Sequence, residues 1–438
     1  MARAACRPTA LLMSSDPHAS SRTDAGTPPA DSASESVFRD TGFRLFWSAR
    51  LCSTIGYQII TVAVGWQMYD LTGDPLMLGL VGLVQFLPSV VLLLMSGHVA
   101  DRFDRRRIVR LCQIAEGIIA ASMAAATLAG WVSSTLIFAF VALIGASRAF
   151  ETPTLQALLP GVVGPRQLAR AVALSSSATQ AAIIVGPALG GFAYVAGPGV
   201  VYGIGATLFL AAAALVTALK LRQAQQRLTA PVSVQTLFAG FAYIRSRPVL
   251  LGAISLDLFA VLLGGATALL PIYARDILHT GPWGLGLLRS SPAIGALATA
   301  IWLARHPLNK RVGRVMFGAV AVFGLATITF GLSSWLPLSM AALVVLGASD
   351  MISVVVRSTL VQLDTPDDMR GRVGAVNSVF IGASNQLGEF ESGVTAAWFG
   401  PVGAVMIGGV GTLLVVLAWM RLFPALAGRD RLLDTPRH

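Results

Sequence analysis

Charge is what this chain is short of. Only 12% of its 438 residues are Asp, Glu, Lys or Arg, against 55% hydrophobic, and its mean hydropathy is +0.71. A water-soluble protein gives about a quarter of its residues to charge, because its surface must be hydrated. A chain this poor in charge cannot cover a water-facing surface of its size, so it must face lipid. Cysteine and histidine are scarce too, at three and five. Cys6, Cys52 and Cys112 lack metal-like spacing, two of them fall inside apolar stretches, and the histidines are scattered. That pattern argues against a disulfide framework and against a zinc site. No nucleophile elbow, nucleotide-cradling loop or metal-ligand set occurs, and the segments between apolar stretches are too short for a soluble catalytic domain. Neither an enzyme nor a cofactor is expected.

The charge that is present is mostly basic, with a formal net value of +11. Residues that bind nucleic acid cluster in one patch. Here Lys and Arg recur in short runs between apolar stretches, which is how a membrane protein marks the loops on one side. No nucleic-acid partner is expected; the partners are the bilayer, a small molecule and protons.

A helix needs ~20 largely apolar residues to cross ~30 Å of hydrocarbon. Windows of that length predict twelve spans, near 45–69, 76–99, 108–130, 134–156, 173–195, 199–220, 249–272, 284–304, 315–333, 337–360, 374–397 and 401–423. With the N-terminus placed in the cytoplasm, 27 of the 32 Lys and Arg fall in inside segments, and only Arg275 lies in an outside loop. The positive-inside rule then puts both termini in the cytoplasm of a multi-pass plasma (inner) membrane protein.

The first 40 residues read as a disordered cytoplasmic tail, rich in Ser, Ala, Asp and Pro, with Met13 a possible alternative start. Pro8 and Pro17 break the apolar stretch behind Arg3 and Arg7, so no cleavable signal is expected. Residues 41–220 form one six-span half, 249–423 the other, and 424–438 a second tail. In the linker, 221–248, Val234, Leu237, Phe238, Phe241 and Ile244 share one helical face. An amphipathic helix on the cytoplasmic leaflet is predicted, with a plain linker helix as the alternative.

The halves carry traces of a repeat. At an offset of 202, Gly145-Ala146-Ser147 aligns with Gly347-Ala348-Ser349, Arg170 with Arg372, Ala173 with Ala375 and Ser176 with Ser378. Related halves imply a pseudo-two-fold axis along the membrane normal with a cavity between them. The fold expected is all-α: twelve transmembrane helices in two pseudo-symmetric six-helix bundles.

Between spans two and three the chain reads Gly97-His-Val-Ala-Asp101-Arg102-Phe-Asp104-Arg105-Arg106-Arg107. This resembles the signature loop of the major facilitator superfamily, G-x-x-x-D-(R/K)-x-G-(R/K)-(R/K), at the place where that family has it. The resemblance implies a conformational latch in which Asp101 pairs with basic residues. Asp104 stands where the second glycine is usual, which looks like the enterobactin-exporter and macrolide-efflux branch. Span five carries Gly186-Pro187-Ala188-Leu189-Gly190-Gly191, similar to the G-P-x-x-G-G segment of the superfamily's proton-coupled antiporters. A proline without its N–H and glycines that allow close helix contact imply a kink there; packing glycines without transport meaning are the other reading.

Ionisable residues inside a membrane are costly, by about 2.5–3.5 kcal/mol on insertion scales, so each marks a function or a buried pair. Asp257 and Glu116 fall near mid-membrane, where the protonation of a carboxyl responds to pH and conformation. Asp257 is the preferred proton carrier, because the start of the second half commonly lines the cavity; a structural inter-helix bond is the equal alternative. Arg148 and Glu151, three apart, share a helix face and can pair. Glu151 could also meet Arg105 or Arg106. Asp350 and Arg357 share a face but stand ~10 Å apart along the axis, so contact needs Arg357 to reach back or a third residue between them. Asn385, Glu389 and Ser392 form a polar stripe, with Glu389 expected in the cavity and Glu391 turned to a neighbouring helix. Arg50 and Arg289 lie near span edges, where snorkelling is expected ahead of substrate contact.

The function these features predict is proton-coupled efflux of a small amphipathic compound, drug-like or a siderophore, by a protein active as a monomer. Metabolite uptake on the same fold is the alternative, and a non-transporting sensor or scaffold is a reading from another class.

Overall fold

The computed structural model describes residues 37–164, 167–220, 234–308 and 310–430, with the side chains of 93, 94, 96–98, 100–101 and 234–237 set apart from that description. Among these residues the chain is helical throughout. The helices are α1 (Thr41–Thr72), α2 (Pro75–Arg102), α3 (Arg105–Leu128), α4 (Ser134–Val162), α5 (Leu168–Tyr194), α6 (Pro198–Ala218), α7 (Val234–Ser246), α8 (Pro248–Leu263), α9 (Gly281–Arg305), α10 (Val312–Leu332), α11 (Leu336–Leu363) and α12 (Asp367–Leu422).

Short polar caps start the helices of the first half. Asp40, Asp74 and Ser133 accept from the backbone N–H of Gly42, Leu76 and Leu136, and so satisfy donors the first turn leaves open. Asp104 does the same for α3, accepting from Arg106 at 2.8 Å. The acid that replaces a glycine in the signature loop is therefore a helix cap.

Ten helical stretches are long and apolar enough to cross a membrane. One of them, α12, runs for 56 residues and is broken at Gly400, whose φ of 75° few side chains tolerate, so it supplies two crossings. Adding α1, whose Tyr57, Gln58 and Gln67 dilute its hydropathy, gives the twelve spans of two six-helix bundles. Span seven is longer and less regular than predicted. After α8 it passes Gly264-Gly265, a 3-10 turn (Ala266–Leu269), a short α turn (Leu270–Ile272) and a π turn (Tyr273–Ile277).

The lateral surface is apolar, with Leu87, Val91, Leu111, Ile118, Leu325 and Leu414 exposed. Trp131, Trp335 and Trp398 are exposed at the helix ends away from the basic loops, as interfacial tryptophans are. At that charge-poor end the bundles touch. On α2 and α12, Gly79 and Gly393 meet so closely that a Cβ on Gly79 would stand 3.0 Å from the Gly393 backbone. On α5 and α9, a Cβ on Gly191 would stand 3.0 Å from Gly286. Bulkier residues at either crossing would push the bundles apart.

α7 packs on the second bundle: Gly240 abuts the backbone of Arg372, Phe241 meets the Phe380 ring edge-on, and Ile244 is fully buried. Phe238 is exposed. Residues 1–36 of the predicted tail 1–40, residues 431–438 of the predicted tail 424–438, and linker residues 221–233 lie outside the described residues.

Candidate functional site

A cavity of about 210 Å³ lies between the bundles, in the half of the helices nearer the charge-poor end. α1 contributes Tyr57, Gln58 and Thr61, α2 contributes Gln85, α9 contributes Arg289, and α12 contributes Gln386 and Glu389. Leu78, Val81, Phe140, Val141 and Ile144 form its apolar wall. Gly82 makes room for Glu389, since a Cβ there would come within 2.6 Å of the carboxylate. Gln85 donates to the Tyr57 hydroxyl, and the Arg148 guanidinium lies 4.0 Å over the Tyr57 ring. Arg289 and Glu389 stand within electrostatic reach of each other. An apolar wall with a few converging polar groups of both signs is suited to an amphipathic organic molecule.

Several expectations need correction here. Arg289 does not snorkel; it lines the cavity, because its neighbour across the seam is Gly65, which leaves space for a guanidinium. Asn385 is exposed and does not line the cavity. Gln386 takes that place, because the cavity lies on the 386 side of the Glu389 face. Asp257 and Glu116 are not cavity residues either: each is buried inside its own bundle. Glu391 accepts from Thr395 on its own helix.

The first bundle holds an ionic cluster between α1, α3 and α4. Glu151 is 1% exposed; one of its oxygens accepts from Ser53 (2.8 Å) and Gln113 (2.9 Å), the other from Arg148 (3.3 Å). The partner of Glu151 is thus its helix neighbour Arg148, while Arg106 donates to the carbonyls of Val216 and Thr217 on α6. Arg105 is buried and donates to the Ala157 carbonyl at 3.0 Å. Glu116 is fully buried with its carboxyl group against that of Glu151, and no N–H or O–H donor of another group reaches either of its oxygens.

The second bundle holds another. Asp257 on α8 pairs with Arg357 on α11 at 2.8 Å and accepts from Ser353 at 2.9 Å, with all three residues buried. Asp350 borders the same narrow gap together with Ser349. Arg357 is held by Asp257, from another helix, and not by Asp350.

Arg102 is exposed at the end of α2; Gly97 and Asp101 belong to the side chains outside the description. Gly186, Pro187, Gly190 and Gly191 are all buried on α5. Gly190 faces Ile59 of α1, and Gly191 faces α9 of the other bundle, so this segment forms part of the seam.

One contact set escaped the sequence reading. At the charge-poor end Tyr69 donates to Asp276, and Arg275 pairs with Asp70 at 3.1 Å while lying 5.5 Å over the Tyr69 ring. These contacts tie α1 to the π turn of span seven, across the two bundles. The signal was Arg275 itself, the lone basic residue of the outside loops, which a count treats as background.

Two bundles of six helices about a shared cavity make this a secondary-transporter fold of the major facilitator type. The chain belongs to the transmembrane secretion effector family, whose profile matches residues 32–431. It is 26% identical over 395 residues to the enterobactin exporter EntS of Citrobacter koseri, covering 88% of this chain and 92% of that one. To EntS of Shigella flexneri it is 24% identical over 378 residues, covering 85% and 89%. Among solved structures, a bacterial homologue of the iron transporter ferroportin in an inward-facing state superposes with a TM-score of 0.68 at 17% identity, covering 90% of this chain and all of the other. The nucleoside transporter NupG does so at 0.67 and 14%, covering 87% and 99%. These likenesses are of fold.

Proposed function

We propose that the protein exports a small amphipathic compound, a drug-like molecule or a siderophore, across the plasma membrane in exchange for protons. The observation that carries this reading is the cavity shared by both bundles, in which Arg289 and Glu389 face an apolar wall beside Tyr57 and three glutamines. Enterobactin exporters among the relatives support the siderophore class. Transport proceeds by alternating access: the bundles (residues 41–220 and 249–423) rock about the cavity, and the linker 221–248 joins them on the cytoplasmic side, where both tails also lie. The closure by Tyr69, Asp70, Arg275 and Asp276 opens as the cavity turns outward, while the loop from Gly97 to Arg106 latches the opposite face. One chain suffices.

Everted membrane vesicles from overexpressing cells test this. An acid lumen should drive accumulation of enterobactin, or of the fluorescent amphipathic cation ethidium, above vector controls. Arg289→Ala and Glu389→Gln should each cut that rate at least about tenfold, the equivalent of ~1.4 kcal/mol. Accumulation by intact cells in place of vesicles would favour an uptake permease.

A further inference from the structure

The two acids buried in the first bundle are not equivalent. Glu151 receives donors from Ser53, Gln113 and Arg148. Glu116 beside it receives none, and the carbonyl oxygen of the buried Gln113 is also without a donor. Two carboxylates and the one guanidinium in ion-pair contact with them, Arg148, meet in an apolar interior, with Arg50 held on Thr179, so one negative charge is left without a contacting cation. An ionised carboxylate without a donor is not tolerated there. Three acceptor atoms lacking a hydrogen define what is missing.

We propose that Glu116 and Glu151 form the proton-binding site of the transporter, holding a proton between them, and that Arg148 couples its occupancy to the cavity. This deepens the reading of the protein as a proton-coupled exporter and rests on it. The proton enters on Glu116, turns its carboxylate into a carboxyl, and gives it a donor for Glu151 or for Gln113. With the proton bound, the cluster is neutral overall.

The ionisable groups around Glu116 are few. α4 presents Glu151 and Arg148, α3 itself presents Cys112, and α1 brings Arg50 near Glu151, where it donates to Thr179. On α6 the residues facing the adjacent Gly117 are Ala206 and Leu210. Arg148 is the cation the acids share, and it is also the cation over Tyr57 in the cavity.

Competition follows from that double contact. When the proton leaves, two bare carboxylates pull Arg148 inward and uncover the Tyr57 ring for substrate. When a proton returns, the acids loosen their hold, and Arg148 settles on Tyr57 in the place an aromatic or cationic substrate would use. Proton and substrate therefore exclude each other, as an antiporter requires. Asp257 lacks such a link: Arg357 and Ser353 satisfy it away from the cavity.

Dicyclohexylcarbodiimide adds to protonated carboxyls in apolar surroundings, and peptide mass spectrometry locates the adduct. On purified full-length protein the label should fall on Glu116 or Glu151, diminish as the pH is raised, and be lost in E116Q while D257N and D350N retain it. Label on Asp257 or Asp350 instead, or none on α3 and α4, overturns the proposal. Should E116Q fail to fold, the peptide map of the unmutated protein decides alone. The labelling requires no transport. A chain labelled at Glu116 that exported nothing would sink the export reading and leave the proton site standing; pH-driven export with label at Asp350 would do the reverse.

Discussion

The two bundles solve one problem differently. Each buries a carboxylate against a serine and an arginine, but the parts are exchanged between helices. In the first bundle the serine is on span one (Ser53) and the acid on span four (Glu151); in the second the acid is on span seven (Asp257) and the serine on span ten (Ser353). At the repeat offset of 202, Glu151 aligns with Ser353, while Ser53 falls on Ser255, two residues short of Asp257, so the two bonds occupy neighbouring and not identical places in the repeat. The arginines differ more. Arg357 is 3% exposed and bound to Asp257 alone among the described ion pairs, whereas Arg148 is 22% exposed and divided between Glu151 and the cavity tyrosine. One cluster is closed and structural. The other has an acid to spare and an opening to the site.

Breaking the closed cluster should have the largest effect. Asp257→Ala leaves Arg357 charged and buried without its partner, at a cost of about 3–5 kcal/mol. Thermal unfolding in detergent should show a large drop, partly restored when Arg357→Leu is added. Glu116→Gln sharpens the contrast: the amide breaks no ion pair and keeps a hydrogen to donate to Glu151, so the same assay should show no fall in unfolding temperature. If Glu116→Gln costs as much as Asp257→Ala, the distinction between the clusters is wrong.

Smaller effects probe the frame around them. Asp104→Ala removes the cap of α3 and should cost about 1 kcal/mol, read from the same melting curves. Asp70→Asn breaks an exposed ion pair and should change stability by only ~0.2–1 kcal/mol. Its signature lies elsewhere: a thiol reagent applied from the charge-poor side should reach a cysteine placed at Gln85 faster in that variant, because the closure over the cavity is weaker.

Spans, their number and the seam-forming glycines could be read from the chain because each is a local property of one stretch. Hydropathy finds a lipid-facing helix, and a Gly-Pro-rich segment announces close packing. The partner of Asp257 could not be read this way. Ser353 and Arg357 lie about a hundred residues further on, and spacing along one helix could say only that Asp350 shares a face with Arg357 at a distance too long for easy contact. Arg289 was misplaced because depth alone cannot tell a lipid-facing arginine from one turned inward. Asn385 and Gln386 show the limit most plainly: they are adjacent and both polar, and only the rotation of α12 separates them. Gly400 lay in the three-residue gap between two predicted spans, 374–397 and 401–423, but nothing local said that the whole reversal would rest on that one glycine.

That single-glycine reversal has a practical corollary. At the charge-poor end the helices turn round within residues 73–74, 129–133, 195–197, 278–280, 333–335 and at Gly400 itself. A protease working from that side finds hardly any backbone to grip, whereas on the other side fifteen residues of sequence, Lys220, Arg222 and Arg227 among them, separate α6 from α7. In sealed vesicles the protein reports its own orientation: digestion from one face splits it into halves, and from the other leaves it whole, without any tag.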